Sequence, residues 1–199
     1  VKTRITLVLL FLIPSSAAAP PLGANAEGTL PTVRILDPTP DRRALVEWAT
    51  DLYLAAGLEL PPLRVDFASG TGLCPDGVDG RFVPGEPESL VLLCPSADAN
   101  DLHRRHIILH EFAHAWDHYQ LSDPQRHAFM ELRSAEAWHA PDLAWWELGS
   151  EQAAEIMAWG LIDQPLPIIK IDGNSCQELH AGFELLVGSP PLHGLSCHV

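Results

Sequence analysis

Basic residues are scarce in this chain. Lysine and arginine together number 12 against 26 aspartates and glutamates, a formal net charge of −14. Such a surface repels phosphate backbones and anionic headgroups, so nucleic acid and charged membrane surfaces are poor partners. Cysteine is also sparse: there are four, and no pair has the C-x-x-C spacing of a cysteine-ligated zinc site. No G-x-S-x-G elbow occurs, which removes the common serine-nucleophile arrangement. Beyond the first residues no apolar run is long enough to span a bilayer. There is no internal repeat and no sign of a second domain. What remains is a 199-residue chain that is 47% hydrophobic, enough to bury the core of one domain.

The N-terminal residues read as an export signal. Lys2 and Arg4 precede an apolar run, Ile5 to Ile13, and then the small residues of Ser15 to Ala19. Residues 1–26 are therefore expected to be a signal peptide, cleaved after Ala19 or Ala26. An uncleaved anchor is the alternative. Residues 27–32 form a flexible leader, and residues 33–199 the domain. Export agrees with an even cysteine count, which implies two disulfides. Three pairings of Cys74, Cys94, Cys176 and Cys197 are possible. Cys74–Cys94 and Cys176–Cys197 are preferred because each closes a local loop rich in glycine or proline. The expected location is extracellular, and the expected assembly a monomer.

The chemistry is concentrated in His110-Glu111-Phe112-Ala113-His114, an H-E-x-x-H pattern. Leu102 to Gln120 contains no glycine or proline, and Ile107, Ile108, Leu109, Phe112, Ala113 and Trp116 recur at helical spacing. Asp98, Asn100 and Asp101 are candidate N-caps. On a helix His110 and His114 share one face, so both rings reach one ion, and Glu111 lies beside it as a general base. His106 and His118 extend the four-residue spacing. The face drifts by about 40° at each such step, so all four cannot meet one ion. His106 and His118 are read as flanking residues, with a lesser role in contacting substrate.

A catalytic zinc normally takes three protein ligands. A metzincin would place a third His at position 120 and a Gly at 117; this chain has Gln120 and Asp117. A second helical segment, Gly149 to Trp159, offers Glu151 and Glu155 four residues apart. H-E-x-x-H followed by E-x-x-A-E on a second helix resembles the gluzincins, zinc metallopeptidases with two His and one Glu as ligands. The resemblance covers roughly residues 88 to 160, and the wider context also resembles small secreted bacterial proteins. It implies His110, His114 and Glu151 as ligands of Zn2+, Glu111 as catalytic base, and Glu155 as the carboxylate that orients an imidazole. The other helix phase would put Glu155 on the metal and Glu151 outside.

The resemblance further implies an α+β, zincin-like single domain. Its small sheet should be mostly antiparallel, with an active-site helix and a second metal-binding helix. Strands are expected at Val33 to Leu36, Leu63 to Ala68, Arg81 to Val83 and Leu90 to Cys94. Helices are expected at Asp41 to Ala56, Gln125 to Trp138 and Ser175 to Val187, besides the two metal helices. Leu90 to Leu93 is the candidate sheet edge along which a peptide could add as a strand; an internal strand is the competing reading. Trp138, Trp145, Trp146 and Trp159 are expected in the core, with one lining the cleft. The implied activity is a secreted zinc peptidase acting on peptide or protein through a metal-activated water. Alternatives are a non-proteolytic binding protein of the same fold and a zinc amidase acting on cell-wall material. His118, Tyr119, His127, His139 and His180 are candidates for stabilising the oxyanion.

Overall fold

The computed structural model describes residues 32–68, 74, 78–94, 100–164 and 171–192. The expected signal peptide, all of the leader but Thr32, Asp98 and Cys197 lie outside the described residues.

Among the described residues the fold is α+β, with five α-helices and one four-stranded sheet. The strands are β1 (Val33–Ile35), β2 (Leu63–Phe67), β3 (Gly80–Val83) and β4 (Ser89–Leu93), in the order β1-β2-β4-β3. The expected mostly antiparallel sheet is instead mixed. β1 pairs with β2 and β2 with β4 in parallel, and only β3 and β4 run antiparallel. The connections explain this. The long links β1 to β2 and β2 to β4 can return the chain in its original direction, whereas the short link from Val83 to Ser89 can only make a hairpin. The expected edge is corrected too: β4 is internal, and β3 is the free edge beside it.

Helix α1 (Pro40–Ala55) starts with Thr39, whose side chain accepts from the Arg42 N–H, and with proline in its first turn. It stops before Gly57, which takes φ +74. Helix α2 (Asp101–Gln120) is capped by Asn100, whose Oδ1 accepts from the His103 N–H at 2.9 Å. Its middle, Ile107 to Ala113, is buried without interruption, because the sheet and α1 cover one side and α4 the other. Tyr53 of α1 is fully buried, donates to the Leu109 carbonyl at 2.9 Å and packs edge-on to Phe112. That contact fixes α2 just before His110.

Helix α3 (Asp123–Arg133) ends five residues earlier than the periodicity predicts. Ser134 adopts a left-handed conformation, and residues 135–138 then serve the next helix. Helix α4 (Gly149–Leu161) has Leu148 at its N-cap and no side-chain cap. The Ala137 and Trp138 carbonyls accept from the Gly149 and Ser150 N–H groups at 2.9 and 3.2 Å instead. Helix α5 (Cys176–Val187) is capped by Ser175 and packs on α4.

A Cβ built on Gly160 would stand 2.1 Å from a ring carbon of the buried Phe183. Gly160→Ala should gain up to about 1 kcal/mol in helix propensity but lose about 1–3 kcal/mol by overpacking. We expect a net fall in the thermal midpoint. An unchanged or raised midpoint would mean that Phe183 is free to move away.

Cys74 and Cys94 form a disulfide with a Cα–Cα distance of 5.8 Å. Cys176 is also disulfide-bonded; its expected partner, Cys197, is outside the described residues. No helix among the described residues is long and apolar enough to cross a membrane.

Candidate metal centre

Helices α2 and α4 pack closely against each other, and their facing polar residues pair in steps. His110 Nε2 and His114 Nε2 are 3.1 Å apart, and Glu151 Oε2 lies 3.1 Å from the first and 3.2 Å from the second. The three atoms make a nearly equilateral triangle. A tetrahedral ion with bonds of about 2.0–2.1 Å spaces its ligand atoms about 3.3 Å apart. The triangle fits an ion of that size, and the donor set of two imidazoles and a carboxylate suits one.

One turn back on α2 and one turn on along α4, the pairing repeats. Glu155 is 1% exposed. Its Oε2 is 3.0 Å from His106 Nε2, and its Oε1 is 3.5 Å from His110 Nδ1. The latter is an ion-pair distance without an aligned hydrogen bond, so Nδ1 is a buried nitrogen lacking a hydrogen-bond partner. Among the described residues two His/Glu groups could thus hold an ion: His110, His114 and Glu151, and His106, His110 and Glu155. His110 belongs to both.

Charge follows from these contacts. Burial works against the charge on Glu151, yet hydrogen bonds from His110 and His114 hold its carboxyl well below the usual range. Burial likewise opposes the charge on Glu155, and His106 and His110 pull it down. Burial favours a neutral His110 ring, but Glu151, Glu155 and Glu111 outweigh it and push His110 up to about 10. Glu111 moves the other way: burial raises its carboxyl above the ordinary value, against the pull of His110 and His114.

Glu111 is 5% exposed and faces β3. The Phe82 backbone N–H donates to its carboxylate, while Oε2 has no hydrogen-bond partner. A Cβ on Gly80 would stand 2.5 Å from Glu111 Oε1, so only glycine leaves room for the carboxylate there. The Cys94 N–H donates to the Asp79 carbonyl at 2.8 Å. Antiparallel alternation then turns the N–H and C=O of Gly80 and Phe82 away from β4, toward the free edge and Glu111.

A cleft of about 660 Å³ runs between β3 and the His/Glu groups. Its wall includes Phe82, His118, His139 and Trp145. Trp145 lies in a 3-10 turn, Trp145–Glu147, and stacks on His110 with centroids 5.8 Å apart. Trp146 is exposed, Trp138 half-buried and Trp159 buried, so with Trp145 as the one that lines the cleft, Trp146 alone departs from the expectation.

Of the five oxyanion candidates, His118 and His139 line the cleft. The others are engaged elsewhere. His127 Nδ1 is 2.8 Å from the Asp123 carbonyl, His180 packs on Trp159, and the Tyr119 hydroxyl is 2.7 Å from Ser89 Oγ. His106 was expected to flank the site and instead contacts Glu155 inside it. The signal was present in the sequence, since His106 is four residues before His110 just as Glu155 is four after Glu151. Trp145 and the Phe82 backbone carry no such spacing.

No family model matches the chain, and neither does any curated protein or solved structure.

Proposed function

We propose that the protein is a zinc-dependent peptidase of the gluzincin type, zincin-like in fold and exported from the cell. One observation carries this reading. Three donor atoms, from His110, His114 and Glu151, converge at 3.1–3.2 Å from one another, and Glu111, one of whose oxygens has no hydrogen-bond partner, lines the same cleft. Bound there, zinc supplies Lewis acidity, acidifying a water molecule and polarising a carbonyl.

The chain's own residues do the rest. Glu111 accepts the proton of the attacking water and returns it to the leaving nitrogen. Burial raises its carboxyl above the ordinary value, which makes it a stronger base toward that water. Glu155 faces His110 Nδ1 and fixes the orientation of that ring. The free edge of β3 offers the N–H and C=O of Gly80 and the carbonyl of Phe82 to an extended peptide, in the manner of an added strand. Phe82 N–H already pairs with Glu111, which ties the edge to the base. The Cys74–Cys94 disulfide supports an oxidising compartment.

Metal analysis of the purified full chain, paired with a peptide-library cleavage assay, tests the proposal. About one zinc per chain is expected, as for a mononuclear three-ligand site. Cleavage should stop on chelation and return with added zinc. Protein that carries no metal after zinc loading, or cleavage that survives chelation, overturns it.

A further inference from the structure

His106 has no place in a three-ligand site, yet it is built into the polar interior between α2 and α4. Its side chain is 12% exposed, and its Nε2 meets Glu155 Oε2 at 3.0 Å. The two atoms stand at hydrogen-bond distance, with the imidazole N–H as the donor and the carboxylate oxygen as the acceptor in such a pair. The contact engages one carboxylate oxygen and leaves the other, Oε1, turned toward His110 Nδ1 at 3.5 Å. A free glutamate on a helix rotates about its side-chain bonds. This one is tethered at one oxygen and aimed with the other.

We propose that His106 is a positioning residue that anchors Glu155, which in turn orients His110 as a metal ligand. The inference rests on the metal reading above and adds a tier to it: His106, then Glu155, then His110, then the ion. Outer partners of metal-bound imidazoles set ring orientation and ligand basicity. Four-residue spacing on both helices builds the chain of contacts, because each turn of α2 meets the next turn of α4.

The same residues could themselves hold an ion, since the donor atoms of His106, His110 and Glu155 lie within 4.8 Å of one another. Filling both groups would require His110 to give both ring nitrogens to metals and to lose both ring hydrogens. Anchoring needs no such change, and it uses His106 and Glu155 as they stand.

The test uses the full chain as wild type, His106→Ala, His106→Leu and His106→Gln. Zinc affinity is measured by competition with a chelator, and ligand geometry by the visible bands of the Co2+-loaded protein. Glutamine retains an N–H where Nε2 stood; alanine and leucine do not. Zinc affinity should fall about tenfold in the alanine and leucine variants, the lower end of the range for outer-tier partners, and their cobalt bands should shift. The glutamine variant should return both readouts close to wild type. Alanine and leucine variants that match wild type overturn the inference alone, as does a glutamine variant as impaired as alanine. Two zinc ions in wild type and one in every variant would make His106 a ligand and overturn it as well. A wild-type chain that binds no zinc overturns this inference and the metal reading together.

Discussion

Glu111→Gln is expected to end hydrolysis while leaving the metal and the fold in place. The substitution keeps the size of the side chain. Its amide oxygen can still accept from the Phe82 N–H, as the carboxylate does now. The NH2 group then occupies the place of Oε2, the oxygen without a partner. An amide NH2 donates and cannot take a proton from water. Loss of a positioned general base costs about 10²–10⁴-fold in rate. Activity is read on whichever peptide the wild-type chain cleaves, with zinc content and thermal midpoint as controls. Zinc should remain near one per chain. A variant that retained wild-type turnover would remove Glu111 from the chemistry, and one that lost its zinc would show that the effect was structural.

The helices were legible because their signals are local. Asn100 caps α2 as one of the candidates, Gly57 stops α1, and the apolar spacing of α2 marks its buried side. Strand positions followed from short apolar runs between turns. Strand direction did not, because pairing depends on how the chain returns between strands, which no local residue encodes. Thus β4 proved internal and the sheet mixed. Helix α3 was overextended for a related reason. Residues 135–138 have helical spacing, but the carbonyls of Ala137 and Trp138 are recruited by the uncapped start of α4, a demand arising ten or more residues away.

The candidate site was legible to the extent that it is periodic. His106, His110 and His114 on one helix and Glu151 and Glu155 on the other repeat every four residues. Two such ladders on antiparallel helices pair in sequence, Glu155 with His106 and His110, and Glu151 with His110 and His114. The pairing is visible only once the helices face each other. Gly80, Phe82 and Trp145 reach the cleft through tertiary packing, and nothing in their own neighbourhoods announces it.

Glu151→Ala is expected to lose zinc as completely as His114→Ala, whereas Glu155→Ala should keep it under metal excess. The geometry separates the two carboxylates. Glu151 Oε2 faces both ring nitrogens that converge, at 3.1 and 3.2 Å. Glu155 meets His110 on the opposite ring nitrogen, at 3.5 Å. Removing Glu151 deletes one of three donor atoms and leaves two imidazoles to hold the ion. Removing Glu155 leaves all three donors and frees the His110 ring to turn, typically a 10- to 100-fold effect on affinity or activity. It also leaves His106 without its carboxylate, so some loss of stability should accompany the weaker binding. Zinc titration of the three alanine variants against a competing chelator reads the ranking directly. The reverse order, with Glu155→Ala metal-free and Glu151→Ala loaded, would move the ion to the side of His106. Equal and negligible effects would mean that neither glutamate holds the metal, and the two-histidine, one-glutamate site would fall.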